Sequence, residues 1–473
     1  MVALASMYKE NINEKLSLRE KAGFGCGDFA SNLFFMVFTM YGLYFYTDVF
    51  GISAAIVGSI FLVARIWDAV NDPIMGLMAD RTRSRWGSFR PYMLWMAIPY
   101  GVIGYACFIV PDWGSNAKIF YAAATYILFG MIYTAINLPY SGLMAVISPN
   151  SLERTKVASF RFIGANLGGL VVALCIPLLV EYFGGGNEQV GYKLTMGLLA
   201  CIATILFLVT FITTRERVEP PAGQSSAPLK DVADLCCNKP CILLFFIGLL
   251  GLASFSVRLA AVPFYFKYYI HGAHQILGWQ LESHELISVF FTLGTICALL
   301  GILATKHIVA LFGKVTAYII LMALAAACTL PQYYLGPESV STLLVLQAIG
   351  SLFAGPLAPI IFSMYADAAD YSEHRTGRRA TGLVMSFASF GMKFGWAVGG
   401  ALGGWLLAWT GYIPGQEQTP EAVHGILLML AVIPTALGLG ACALMFFHPL
   451  TDSRMGDIGA ELARRRTIAT VPA

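Results

Sequence analysis

The sequence predicts an all-α polytopic membrane protein: twelve transmembrane helices in two pseudo-symmetric six-helix bundles. Three observations carry this. Of 473 residues, 58% are apolar and only 12% are charged, more apolar sequence than one soluble core can bury. Twelve apolar stretches follow one another, each about as long as the 20 residues a bilayer requires. Lysine and arginine, finally, collect in alternate connections between those stretches. The balance of 30 basic against 27 acidic residues, net +3, excludes a nucleic-acid partner.

The elements run in order as follows. Residues 1–22 are polar and carry Lys9, Lys15, Arg19 and Lys21, unlike a cleavable signal peptide. They form a short cytoplasmic lead-in. Spans are expected at 24–46, 52–79, 91–110, 118–147, 157–181 and 193–213, making an N-terminal bundle over 23–213. The Pro- and charge-rich stretch 214–240 is a cytoplasmic middle loop. Spans at 241–270, 285–305, 313–332, 339–367, 380–409 and 424–448 make the C-terminal bundle, 241–448, and 449–473 is a cytoplasmic tail. With both termini inside, 24 of the 30 Lys and Arg lie in the tails and in the connections on the inner side. The opposite loops hold only Lys118 and Lys193, and Arg65, Arg258, Lys267 and Lys393 remain within spans. The expected location is the cell (inner) membrane, with lipid as surroundings and a single chain sufficient for function. The loop DRTRSRWGSFRP after span 2 is echoed weakly by TKHIVALFGK after span 8, and SLERTKVASFR by YSEHRTGRRATG. Two related bundles with a ligand near the midplane is the architecture this implies. Ten cysteines show no metal-ligand spacing.

Charges inside a bilayer cost about 2.5–3.5 kcal/mol each on insertion scales, so each is a functional hypothesis. Span 2 carries FLVARIWDAVNDPIMG, where Asp68 and Asp72 lie one helical turn apart with Asn71 beside them. Three hard oxygen ligands on one face suit Na⁺, or a proton held by one carboxyl. The competing reading is a structural ion pair, Arg65–Asp68 or Asp72–Lys393. Lys393 lies deep in span 11 with Ser389 one turn before it, and its ammonium needs an anionic partner; the alternative is snorkelling to the interface. Span 4 puts Thr134 and Asn137 on one face, and span 1 puts Asp28 and Asn32 one turn apart. Amides suit sugar hydroxyls, or simply glue helices. Arg258 in span 7 either pairs with a buried acid or faces a cavity, where its fork grips hydroxyls or a carboxylate. Asp367, Asp370, Glu373 and Arg378 near the end of span 10, with Asp80, Arg81, Arg85 and Arg90 after span 2, read as a salt-bridge gate between bundles. All seven histidines lie in loops or at span ends, with no nucleophile–base pair or metal spacing within the membrane, which argues against an enzyme.

Five runs, YFYTDVFG (44–51), FLVARIWDAVNDPIMG (61–76), TRSRWG (82–87), ATYILFGMIYT (124–134) and ADAADYSEHRTGRR (366–379), together with Lys393, resemble the glycoside–pentoside–hexuronide:cation symporter family of the major facilitator superfamily. The resemblance covers essentially the whole chain and implies the major facilitator fold and cation-driven sugar symport, with no cofactor besides the coupling ion. It implies a Na⁺, Li⁺ or H⁺ site of Asp68, Asn71 and Asp72, completed by Thr134, with Ser389 standing where the family has threonine. It also implies an essential lysine at Lys393 and a sugar-proximal arginine at Arg161. Melibiose carriers of that family grip galactosyl hydroxyls with aspartates on spans 1 and 4. Asn32 and Asn137 stand there in this chain, Ser141 replaces a stacking tryptophan, and another tryptophan falls near Ala358. Asp28 belongs to a Gly-Asp pair of other branches. Arg258 has no counterpart in melibiose carriers and resembles a branch of xyloside and other glycoside carriers. The resemblance therefore implies an uncharged glycoside or short oligosaccharide first, and second a uronide neutralised by Arg258 and Arg161. A lysolipid carrier is the rival outside sugar transport; the polar residues Asn32, Asn137 and Arg258 speak against it.

Overall fold

Backbone polar groups in lipid have no water to bond, so apolar segments close their hydrogen bonds internally as helices. The computed structural model describes residues 15–148, 150–217, 238–276, 278–376, 381–451, 454–458 and 460–461. The chain divides into two units, Met1–Gln224 and Ser225–Ala473. Among the described residues, ten helices are long and apolar enough to cross a membrane.

The first unit runs α1 (Leu18–Tyr44), α2 (Ala54–Arg81), α3 (Arg90–Trp95), α4 (Ala97–Ala106), α5 (Ser115–Val146), α6 (Ser151–Gly184) and α7 (Glu188–Thr213). The expected third span is broken at Met96, between α3 and α4. Pro99 explains this: it has no N–H for the Trp95 carbonyl, and its ring crowds that carbonyl. α1 packs most extensively on α6, where a Cβ at Gly168 would lie 2.9 Å from the Phe29 carbonyl oxygen. Small residues bring helix backbones together where lipid supplies no hydrophobic drive. Rings fill the rest of this core: Phe45 and Phe108 centroids lie 4.6 Å apart, and Phe34 meets Tyr100 edge-on at 5.4 Å.

One end of this unit is tied by charge. Glu216 accepts from the backbone N–H groups of Ser88, Phe89 and Arg90 at 2.7–2.9 Å. Arg217 pairs with Glu20 at 2.6 Å and donates its own N–H to the Val146 carbonyl at 2.9 Å. Nearby, Glu153 accepts from Lys21 at 2.6 Å, Lys156 at 2.8 Å and the Leu16 N–H at 3.1 Å. Hydrogen bonds from the two lysines hold its carboxyl at about 2, against an ordinary 4.5. The folded value is the lower one, so the stability it contributes is complete above the unfolded value and lost as pH falls through the folded one. Thermal unfolding of the purified protein is expected to shift downward between about pH 4.5 and 2, and Glu153→Gln should flatten that part of the profile while lowering stability at pH 7.

The second unit runs α8 (Lys239–Tyr265), a two-stranded hairpin (β1 His274–Ile276, β2 Trp279–Leu281, antiparallel), α9 (Ser283–Phe312), α10 (Lys314–Thr329), α11 (Val340–Ala354), α12 (Leu357–Thr376), α13 (Thr381–Trp409), α14 (Pro420–Leu427) and α15 (Ile433–Phe446). A short 3₁₀ turn, Leu330–Tyr334, prolongs α10, and a π turn, Leu428–Val432, joins α14 to α15. α8 crosses α13 over Gly395 and Gly399, where a Cβ would lie 2.7 Å from the Leu249 oxygen and 2.6 Å from the Ala253 oxygen. Ile247, Tyr318, Ile360, Met364 and Tyr365 form the core beside this crossing.

The two units share a feature absent from the loop echoes. α1 and α8 are each 27 residues long, and each passes into a five-residue π turn, Phe45–Val49 and Phe266–Ile270. Each turn is followed by a glycine in the left-handed region, Gly51 (φ 85°) and Gly272 (φ 91°). The sequences there are YFYTDVFG and YFKYYIHG.

Candidate functional site

The carboxylates of α2 lie against α5. Thr134 donates its hydroxyl to Asp72 Oδ1 at 3.0 Å. Arg65, three residues before Asp68 on the same helix, reaches Asp68 Oδ2 at 2.7 Å. The opposite oxygen, Asp68 Oδ1, faces Gly130, where a Cβ would stand at 3.2 Å. Asp68 and Asn71 are 5% and 6% exposed, and Asn71 Nδ2 has no acceptor among the described residues. That NH₂ group is a donor and calls for an acceptor such as water, so only the Asn71 carboxamide oxygen is offered to a cation. The donor set of carboxylate, hydroxyl and carboxamide oxygens fits a hard monovalent cation or a shared proton. The Arg65–Asp68 pair weighed from the sequence is present.

A second polar group of the first unit joins α1, α5 and α6. Arg161 Nε donates to Asp28 Oδ2 at 3.2 Å. Asn32 donates to the Asp28 carbonyl at 2.9 Å, and Asn137 donates to the Tyr133 carbonyl at 3.1 Å. Asn137 Oδ1 accepts from Ser31 at 2.8 Å, which fastens α1 to α5. Ser141, one turn beyond Asn137, is exposed. Thr134 and Asn137 stand one turn apart on α5, so the two polar groups share a helix.

The other expected residues are placed as follows. Among the described residues Arg258 meets no acid, and its guanidinium is engaged by neutral oxygens. Its guanidinium donates to the Leu430 carbonyl at 2.7 Å, Gln332 Oε1 at 2.9 Å and Gln347 Oε1 at 2.6 Å. Pro434 explains the first acceptor: with no N–H four residues on, it leaves the Leu430 carbonyl without a helical donor. Lys393 is half-buried on α13, and the side chain of Ser389 on that helix lies outside the described residues. Arg90 donates to the Phe211 carbonyl at 2.8 Å, at the end of α7 where the helix dipole favours a cation. Arg85 lies 4.2 Å from the Trp86 ring centre, and Arg81 is the exposed last residue of α2. Asp80 is in the same turn, with its side chain outside the described set. Asp367 pairs with Lys314 at 2.6 Å within the second unit. Asp370 and Glu373 are half-buried further along α12, and Arg378 lies outside the described residues. Sequence reasoning passed over Gly130, Gln332 and Gln347. Glutamines within or at the end of apolar spans, in a bundle that also holds an arginine within a span, were the available signal.

The family described as "MFS/sugar transport protein" matches residues 23–452. The uncharacterised symporter YnaJ of Bacillus subtilis is 36% identical over 97% of this chain and 97% of that protein. The isoprimeverose transporter of Lactiplantibacillus pentosus is 35% identical over 95% and 93%, and the inner membrane symporter YicJ of Escherichia coli 34% identical over 96% of each. Among solved structures, a bacterial homologue of the lysosomal transporter Spinster superposes with a TM-score of 0.67 at 13% identity, covering 91% of this chain and 96% of that one. The nucleoside transporter NupG gives 0.62 at 14%, covering 90% and 98%. These two share the major facilitator fold. With a family match over nearly its full length and relatives of this kind, the chain belongs to the glycoside–pentoside–hexuronide:cation symporters of the major facilitator superfamily.

Proposed function

We propose that this chain carries a neutral glycoside of the xyloside type across the cell membrane together with a cation, Na⁺ or H⁺, by alternating access, with both termini in the cytoplasm. The role is transport rather than catalysis. The observation that carries the reading is the shared helix α5: Thr134 holds Asp72 of the cation group, and Asn137, one turn away, is bonded to Ser31 of the sugar group. On α2 the formal charges of Arg65, Asp68 and Asp72 sum to −1, which favours the approach of a cation to this helix. A cation that draws Asp72 and Thr134 together sets the rotation of α5, and with it Asn137. By linkage the sugar must then tighten cation binding by the same factor. The names of the symporter relatives support cation coupling, and the isoprimeverose transporter supports a glycosidic cargo. We retain Lys393 and Ser389 as residues of the cation site. Asp80, Arg81, Arg85, Arg90, Asp367, Asp370, Glu373 and Arg378 remain proposed for the cytoplasmic gate. A uronide gripped by Arg258 is disfavoured, because three carbonyl oxygens already occupy that fork.

The test is a panel of glycosides, uronides and lysolipids bound to purified protein with and without Na⁺, and at two pH values. Cation-enhanced binding of neutral glycosides is expected. Binding of lysolipids alone would overturn the reading.

A further inference from the structure

The loop after α2 and the end of α7 meet at a corner of the first unit whose charges do not balance. Glu216 commits its carboxylate to the N–H groups of Ser88, Phe89 and Arg90. That contact sets the chain just past α7 against the start of α3, and Arg215 comes with it. Arg83, Arg85, Arg90 and Arg215 then share the corner with one glutamate, a formal sum of +3. Two of these arginines lie on aromatic rings. Arg85 is 4.2 Å from the Trp86 ring centre, Trp86 meets Phe211 edge-on at 5.8 Å, and Arg90 is 4.4 Å from the Phe211 centre. A guanidinium held by a ring still has N–H groups to give. Arg90 gives its Nε to the Phe211 carbonyl at 2.8 Å. Arg85 and Arg215 are exposed, and among the described residues neither meets a carboxylate.

Toward the middle of the same helices the surface turns apolar and stays uncovered. α7 exposes Leu198, Ile205 and Ile212, each seven residues from the next and so on one face. α4 exposes Ile98 and Val102, one turn apart. The two helices run side by side: Thr204 donates to the Ala97 carbonyl at 3.2 Å, and a Cβ at Gly101 would lie 3.0 Å from the Ala200 oxygen. We propose that this corner binds an anionic phospholipid, with its phosphate on Arg85 and Arg215 and its chains along the exposed face of α7. Guanidinium forks match a phosphodiester, and the unanswered positive charge selects a headgroup with net negative charge. A soluble anion would use the arginines alone; the apolar face that runs up to them selects an amphiphile. The site does not depend on which cargo the chain carries. It shares Arg85 with the proposed gate, so its readout is lipid binding rather than transport.

Dioctanoyl phosphatidylglycerol is the probe, and dioctanoyl phosphatidylcholine is its zwitterionic match. Each is titrated into the full-length protein in an uncharged detergent, with bound lipid counted by native mass spectrometry. The wild type is expected to favour phosphatidylglycerol by about tenfold or more. A basic residue at a membrane surface is worth about fivefold in affinity for anionic lipid, so Arg85→Gln/Arg215→Gln should weaken phosphatidylglycerol by about 30-fold. Binding of phosphatidylcholine should hardly change. Arg85→Lys/Arg215→Lys, which keeps the charge, should keep most of the preference. Lys118→Gln/Lys193→Gln, which removes two charges from the starts of α5 and α7, should keep all of it. Equal binding of the two lipids by the wild type would overturn the proposal. So would a preference unmoved by the arginine pair, or one lost equally with the lysine pair. Displacement of phosphatidylglycerol by an equal concentration of glycerol 3-phosphate would reveal a soluble-anion site and overturn the lipid assignment.

Discussion

Asp72→Cys is expected to abolish cation-driven uptake while leaving the protein in the membrane. Asp72 is half-buried where α2 faces α5, and it accepts the Thr134 hydroxyl at 3.0 Å. Its neighbour Asp68 is already engaged by Arg65 at 2.7 Å. Removing the Asp72 charge leaves Arg65 and Asp68 as a neutral pair, with nothing to draw a cation to Thr134. A thiol is also a soft ligand, poorly matched to Na⁺. The loss of cation stimulation should approach the upper range of measured couplings, about 100-fold. The readout is initial uptake of a glycoside into vesicles with and without an imposed Na⁺ or H⁺ gradient. Unchanged stimulation would remove Asp72 from the site. Asp72→Glu, which keeps the charge on a longer arm, should retain part of the stimulation.

The second large effect is expected on stability. Arg258→Leu deprives three buried acceptors, Leu430 O, Gln332 Oε1 and Gln347 Oε1, of their donor. Gln332 is fully buried and Gln347 is 8% exposed, so water does not readily replace it. Each orphaned acceptor costs about 1–3 kcal/mol, and with partial relaxation the sum should reach about 3 kcal/mol. The guanidinium joins α8, the turn after α10, α11 and the π turn before α15, so the loss should be felt by the whole second unit. Thermal unfolding in detergent measures it. A residue lining a binding cavity would behave otherwise, losing glycoside affinity with little change in stability. Arg258→Lys should recover only part of the loss, since an ammonium cannot present two parallel donor edges.

Much of this was legible in one dimension, for identifiable reasons. Spans are legible because a bilayer imposes length and apolarity on consecutive residues. Span 2 is legible because its chemistry is local: Arg65, Asp68, Asn71 and Asp72 lie within two turns. Contacts across the fold are another matter. Asp28 and Arg161 are 133 residues apart, and no periodicity in either helix announces their pairing. The role of Gly130 exists only because another helix brings Asp68 to it. Arg258 drew attention as a charge that did not belong, but its partners are neutral glutamines and a carbonyl freed by Pro434, none of which registers in a search for opposite charge. The break at Met96 was legible in Pro99 and was passed over because hydropathy is insensitive to a missing N–H.

The paired π turns at the ends of α1 and α8 give the two halves a common backbone register. A π turn accommodates a residue more than the α-helix around it would, and such widenings tend to persist at functional positions. Here the same widening follows a 27-residue helix in both halves and ends on the same left-handed glycine, although only the tyrosine and phenylalanine at its start and the closing glycine are common to YFYTDVFG and YFKYYIHG. The backbone irregularity recurs where most of the side chains differ, which makes it a register mark for aligning the two halves.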